Sequence, residues 1–78
     1  MTVKEKDYCL DLLLEGLRYA KEAQEDFKIV SDKTLSDTKR QIAELKWQNH
    51  LGYAQGIYQA LVTLKYNNKQ MGVISKML

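Results

Sequence analysis

Ser31-Asp32-Lys33-Thr34-Leu35-Ser36-Asp37 is the only cluster of capping and turn-forming residues in the 78-residue chain, and whether the backbone reverses there decides the fold. Before it, Cys9, Leu13, Gly16, Ala20, Ala23, Phe27 and Val30 recur at alternating spacings of four and three, a heptad-like seam. Continued through the cluster, that register would place Thr34, Asp37, Gln41 and Glu44 in a core. The second seam instead runs Ala43, Trp47, His50, Ala54, Ile57, Leu61 and Leu64, with the same spacings in a new phase. A turn is the simplest cause of the phase jump. The expected class is all-α: an antiparallel helical hairpin, residues 1–78 forming one domain. Helix one opens at Thr2, where Glu5 completes a capping-box pattern, and spans about 3–31. Residues 32–36 turn, Thr34 or Ser36 caps helix two, and that helix runs over about 37–66. Asn67-Asn68 weakens it, and 68–78, with Met71, Val73, Ile74, Met77 and Leu78, forms a short third helix or a docked tail.

Composition removes several classes. One Cys cannot close an intrachain disulfide, and one Cys with one His cannot build a Cys/His zinc site. A 45% apolar content at net charge +2 argues against disorder. Charges in Met-Thr-Val-Lys-Glu-Lys-Asp fall where a signal peptide needs apolar residues. Trp47–Leu64, eighteen residues without formal charge, approaches a membrane-spanning length. Gln48, Asn49, His50, Gln55, Gln59 and Thr63 mark it instead as a helix buried in protein, and the expected compartment is the cytoplasm. The charge is uneven: residues 1–44 hold eight basic and ten acidic side chains, residues 45–78 four Lys and no acid. On helix one, Asp11, Glu15, Arg18, Glu22 and Glu25 read as a solvated face laced by i,i+3 and i,i+4 pairs.

Folding at Lys33-Thr34 sets Trp47 against Ala20 and Gly16, Ala54 against Leu13, and Ile57 near Cys9 and Leu10. Leu61 completes this hairpin seam. Large residues meet small ones, as close packing requires, and Gly16→Leu is expected to clash with Trp47. Both helices have apolar surface to spare. On helix two a second stripe runs through Ile42, Leu45, Gly52, Gly56 and Ala60, flanked by Tyr53. A mid-helix Gly costs about 1 kcal/mol relative to Ala, so two of them point to close approach of another helix backbone. On helix one, Leu10, Leu14 and Leu17 lie beside the seam, and Leu12 and Tyr19 lie on its other flank. A two-helix hairpin covers one stripe per helix. The expectation is a homodimer, two hairpins forming a coiled-coil-like four-helix bundle, with a different protein or the folded-back Met71–Leu78 segment as other covers.

Signals for chemistry are weak. Cys9 is the only thiol and His50 the only imidazole. The hairpin places Cys9 near Tyr58, about two turns from His50, too far for a dyad. His50 reads as a hydrogen-bonded seam histidine, since Trp47 rather than Glu stands three residues before it. There is no phosphate-binding Gly loop and no Gly-x-Ser-x-Gly. No enzyme, cofactor, metal or small-molecule substrate is expected. The basic, amide-rich stretch around Lys65, Tyr66, Lys69 and Lys76, with Lys39, Arg40 and Lys46 as a second cluster, supplies the alternative of nucleic-acid association. Tyr53 and Tyr58 fit protein contact, combining area with a polar tip.

Rich in Lys, Asn and Tyr and free of Pro, the whole chain resembles in composition the small helical accessory proteins encoded by phages and mobile elements of Gram-positive bacteria. The resemblance implies docking on a larger host or viral protein. The expected function is a non-enzymatic protein–protein interaction module acting as adaptor, inhibitor or assembly component.

Overall fold

In a computed structural model, which describes residues 1–78, Thr2 opens the first helix as its pattern requires. The Thr2 hydroxyl accepts from the Glu5 N–H at 3.1 Å, and the Glu5 carboxylate accepts from the Thr2 N–H at 3.2 Å. Those bonds to Thr2 hold the Glu5 carboxyl below its ordinary range. Helix α1 then runs Val3–Val30, α2 Asp37–Thr63 and α3 Gln70–Met77, with no strand. The α1 seam is as expected: Cys9, Leu13, Gly16, Ala20 and Ala23 are buried. Phe27 remains exposed near the end of the helix.

The turn is built from short polar side chains. The Ser31 hydroxyl donates to the Phe27 carbonyl at 2.9 Å, and Asp32 accepts from both the N–H and the hydroxyl of Thr34 at 3.0 and 2.6 Å. The Thr34 bonds draw the Asp32 carboxyl below its usual range. Of the two candidate caps, Ser36 is used, accepting from the Lys39 N–H at 3.3 Å.

Across the seam the structure corrects the expected register by one heptad. Trp47 lies against Phe27, with ring centroids 5.3 Å apart, rather than against Ala20 and Gly16. Ile57 lies at Gly16 rather than at Cys9 and Leu10. Seven residues of helix amount to about 10 Å, so α2 begins well beyond the last turn of α1. Residues 31–36 bridge that overhang. Arg40 reaches back to donate Nε–H to the Val30 carbonyl at 3.1 Å, and Leu35 tucks in beside Ile29 and Ile42.

Helix α2 ends at Thr63, three residues before the expected stop. Lys65 adopts a left-handed φ of 57°, its N–H donates to the Val62 carbonyl, and the Tyr66 N–H donates to the Leu61 carbonyl. This is a Schellman cap, with Tyr66 and Leu61 as its apolar contact and a lysine where glycine is usual. The chain then reverses. The Asn68 carboxamide donates to the Tyr66 hydroxyl and accepts from the Gln70 N–H, starting α3. Ile74 is fully buried, and Met71 and Met77 pack beside it on the core. Ile74 reaches Gly16, while Met77 and Leu78 line one cavity with Ala23, Phe27 and Trp47. Thus α3 lies in one groove of the hairpin, parallel to α1, and the 68–78 segment is a helix rather than a tail.

Gly16 is where the three helices meet. A Cβ there would stand 2.9 Å from Ile57 Cγ2 and 3.0 Å from Ile74 Cδ1, while at Gly72 it would meet nothing within 4 Å. Gly16→Ala is therefore expected to lower stability by about 1–3 kcal/mol despite its better helix propensity, and Gly72→Ala to raise it by up to about 1 kcal/mol. Opposite shifts of the thermal midpoint check this pair. Lys65→Gly removes a left-handed side-chain penalty partly offset by unfolded-state entropy, for an expected gain of roughly 0.5–1 kcal/mol in urea unfolding.

Candidate functional site

Helix α2 has two apolar faces, and only one is covered. Ala43, Ala54 and Leu61 are buried on the inner face, with Trp47, His50 and Ile57 half-buried beside them. On the outer face Ile42 is 51% exposed, Leu45 70% and Tyr53 56%. Gly52, Gly56 and Ala60 share that face and are exposed, and a Cβ at either glycine would meet nothing within 4 Å. At 100° per residue, Asn49 falls in the middle of the stripe. It stands four residues after Leu45 and three before Gly52, so its position could have been read from spacing, but its polarity hid it among the apolar residues. No charged side chain lies between Lys46 and Lys65.

The structure does not bring all the expected contact residues together. Leu10, Leu14 and Leu17 share a stripe of α1 with Gln24 and Lys28, which border Met77 and Leu78 at the end of α3. Leu17 packs on the core there, while Leu10 and Leu14 stay exposed. The α2 stripe belongs to the opposite side of the hairpin. The two surplus stripes thus form two separate surfaces, with α3 in the groove on the leucine side.

On the other side a polar and aromatic network crosses from α1 to α2. His50 Nδ1 lies 2.6 Å from Asp26 Oδ2, and His50 Nε2 lies 3.2 Å from Glu22 Oε2. The Asp26 contact is a hydrogen bond, whereas Glu22 approaches the other ring nitrogen as a neighbouring charge without hydrogen-bond geometry. Glu22 also meets Arg18 at 3.1 Å, and Arg18 sits 4.5 Å above the Tyr19 ring. Tyr19 stacks on Tyr53 at 5.1 Å. His50 is therefore a hydrogen-bonded seam residue, as its position implied. Its partners were missed because Glu22 reads as part of a solvated face and Asp26 follows no seam spacing. One signal was available: no acid follows Glu44, so only helix one and the turn could supply a carboxylate to the middle of helix two.

The remaining candidates are dispersed. Cys9 is buried near the start of α1, about 25 Å along the helix from Asp26 and the His50 cluster. No group of three His, Cys, Asp or Glu side chains is placed to hold a metal ion. No helix is long and apolar enough to cross a membrane. Lys65, Lys69 and Lys76 are exposed, but the Tyr66 ring packs against the core rather than standing free to stack on a base.

The His50–Asp26 contact ties the two long helices together with both side chains largely shielded, at 23% and 14% exposure. Asp26→Ala is expected to cost about 1.5–3 kcal/mol, the usual worth of a hydrogen bond to a charged group. Glu15→Ala, which removes only a 3.6 Å bridge between exposed side chains, should change stability by less than about 0.5 kcal/mol. Chemical denaturation of the two variants side by side measures the difference. Compared with known protein families, with curated proteins and with solved structures, the chain matches none.

Proposed function

We propose that this protein is a small, non-enzymatic interaction module, an adaptor, inhibitor or assembly component working in the cytoplasm through the outer face of α2. One observation carries the reading: Ile42, Leu45 and Tyr53 are exposed on a face that has no charge from Trp47 to Leu64 and two glycines with open space above them. Exposed apolar surface of this kind marks contact sites. Glycines in mid-helix sacrifice helix stability, and within the chain that sacrifice has no return, because no neighbour uses the space. Close approach by another backbone supplies one. The composition, which resembles that of phage and mobile-element accessory proteins, supports the same reading.

The test compares the parent chain with Gly56→Leu by cross-linked affinity capture in the native host. Gly56→Leu leaves the hairpin intact, since Gly56 touches nothing, and should keep or raise helicity in circular dichroism. The parent is expected to retain a stoichiometric complex, with itself or with another protein, that the variant loses. Retention of every stoichiometric partner by the variant overturns the reading.

A further inference from the structure

We infer that the occupant of the outer α2 face is a second copy of this chain, laid antiparallel about a twofold axis passing between Asn49 and Gly52. The inference rests on the interaction-module reading and names its partner. Surface area gives the first argument. The chain exposes 5754 Å², whereas a compact monomer of its mass exposes about 4,900 Å². The excess, roughly 850 Å², comes from the elongated shape of the whole rod and is of the size, ~800 Å², that each partner contributes to a standard interface. The shape agrees: a rod of 50 × 17 × 16 Å has a radius of gyration of 14.7 Å, against about 11.5 Å for a compact domain of this length. Side-by-side packing of two rods is the arrangement that removes such an excess.

Self-complementarity gives the second argument. The stripe is divided, with bulky Ile42 and Leu45 in its first half and small Gly52, Gly56 and Ala60 in its second. Pairing two copies in parallel sets leucine on leucine and glycine on glycine, splaying one end and leaving a void at the other. Antiparallel pairing sets Leu45 over Gly56 of the second copy and Ile42 over its Ala60, so each knob fills the space left by a missing side chain. The same register brings the two Asn49 side chains together beside the axis. There they can bond to one another, as a single polar residue in an apolar helix seam does when it selects one register. Lys46, next to Leu45, is the one charge that flanks the stripe, at its edge, and from Trp47 to Leu64 the face carries none.

Sedimentation equilibrium of the full-length chain, from micromolar to near-millimolar concentration, tests the assembly. A monomer–dimer equilibrium is expected, weakened at least about 100-fold by Leu45→Lys and by Gly56→Leu, with helicity retained in both. Register is read by oxidative cross-linking. Leu45→Cys should form few disulfides with itself and many when mixed with Gly56→Cys, and buried Cys9 should stay out of the reaction. A parent chain that stays monomeric, a dimer indifferent to both substitutions, or preferential Leu45→Cys self-linkage overturns the inference. A monomeric parent whose Gly56→Leu variant still loses a host protein overturns the second copy alone and leaves the interaction module standing.

Discussion

Three helices converge on one missing side chain. Gly16 lets Ile57 of α2 and Ile74 of α3 approach the α1 backbone to within a distance that a methyl group would close. The architecture follows from that contact. It aligns α2 on α1, gives α3 a place to anchor, and leaves the fully buried Leu13, Leu61 and Ile74 as the bulk of a core otherwise built from alanines and a cysteine. Such a core is narrow, because small seam residues draw the helix axes together. Close packing of backbones therefore supplies much of what large buried side chains supply in wider folds.

A narrow core has a consequence for the surface. Only nine of 78 residues are buried, so most apolar side chains cannot be inside. They sort onto two sides instead. On one side α3 covers part of the leucine stripe of α1. On the other, the His50 network and the Tyr19–Tyr53 stack close the seam, and the apolar stripe of α2 lies beyond them, uncovered. The charge imbalance acquires a physical meaning here. The acidic side chains belong to α1, the turn and the first part of α2, and two of them, Glu22 and Asp26, turn inward to meet the imidazole of His50. From Trp47 onward α2 has an inner face that is packed and an outer face that carries no acid at all.

Much of this was legible from spacing. The five buried seam residues of α1, the Thr2–Glu5 box, a turn at 32–36 and the exposure of Ile42, Leu45, Gly52 and Gly56 all follow from periodicity and capping chemistry. The register did not follow, for a reason built into the pattern. A heptad seam looks the same after a slip of one repeat, so Trp47 fits its spacing opposite Ala20 or opposite Phe27 equally well. Residues that break the period decide between the two. Asp26 can meet His50 only in the observed alignment, and Gly16 has room for Ile57 only because no large residue of α2 already fills it. The third decisive residue, Ile74, belongs to a segment whose Asn67, Asn68 and Gly72 gave weak helix signals on their own. Its helix is secured by tertiary contact and by the Asn68 carboxamide.

The same distinction between periodic and aperiodic information separates the inner face of α2 from its outer one. Inside, a slip of one heptad would take His50 away from Asp26, leaving a shielded carboxylate without its partner, an expensive state. Charge pairing therefore adds to the Gly16 contact in discriminating between registers that heptad spacing alone leaves equivalent. Outside, Lys46 is the only charge beside the stripe, and size is the main distinction: bulky residues occupy one half of the stripe and glycines the other, with a single asparagine between them. A face that encodes orientation by steric shape can recognise only a surface of complementary shape. The second copy proposed above would supply such a surface, the same stripe read in the opposite direction.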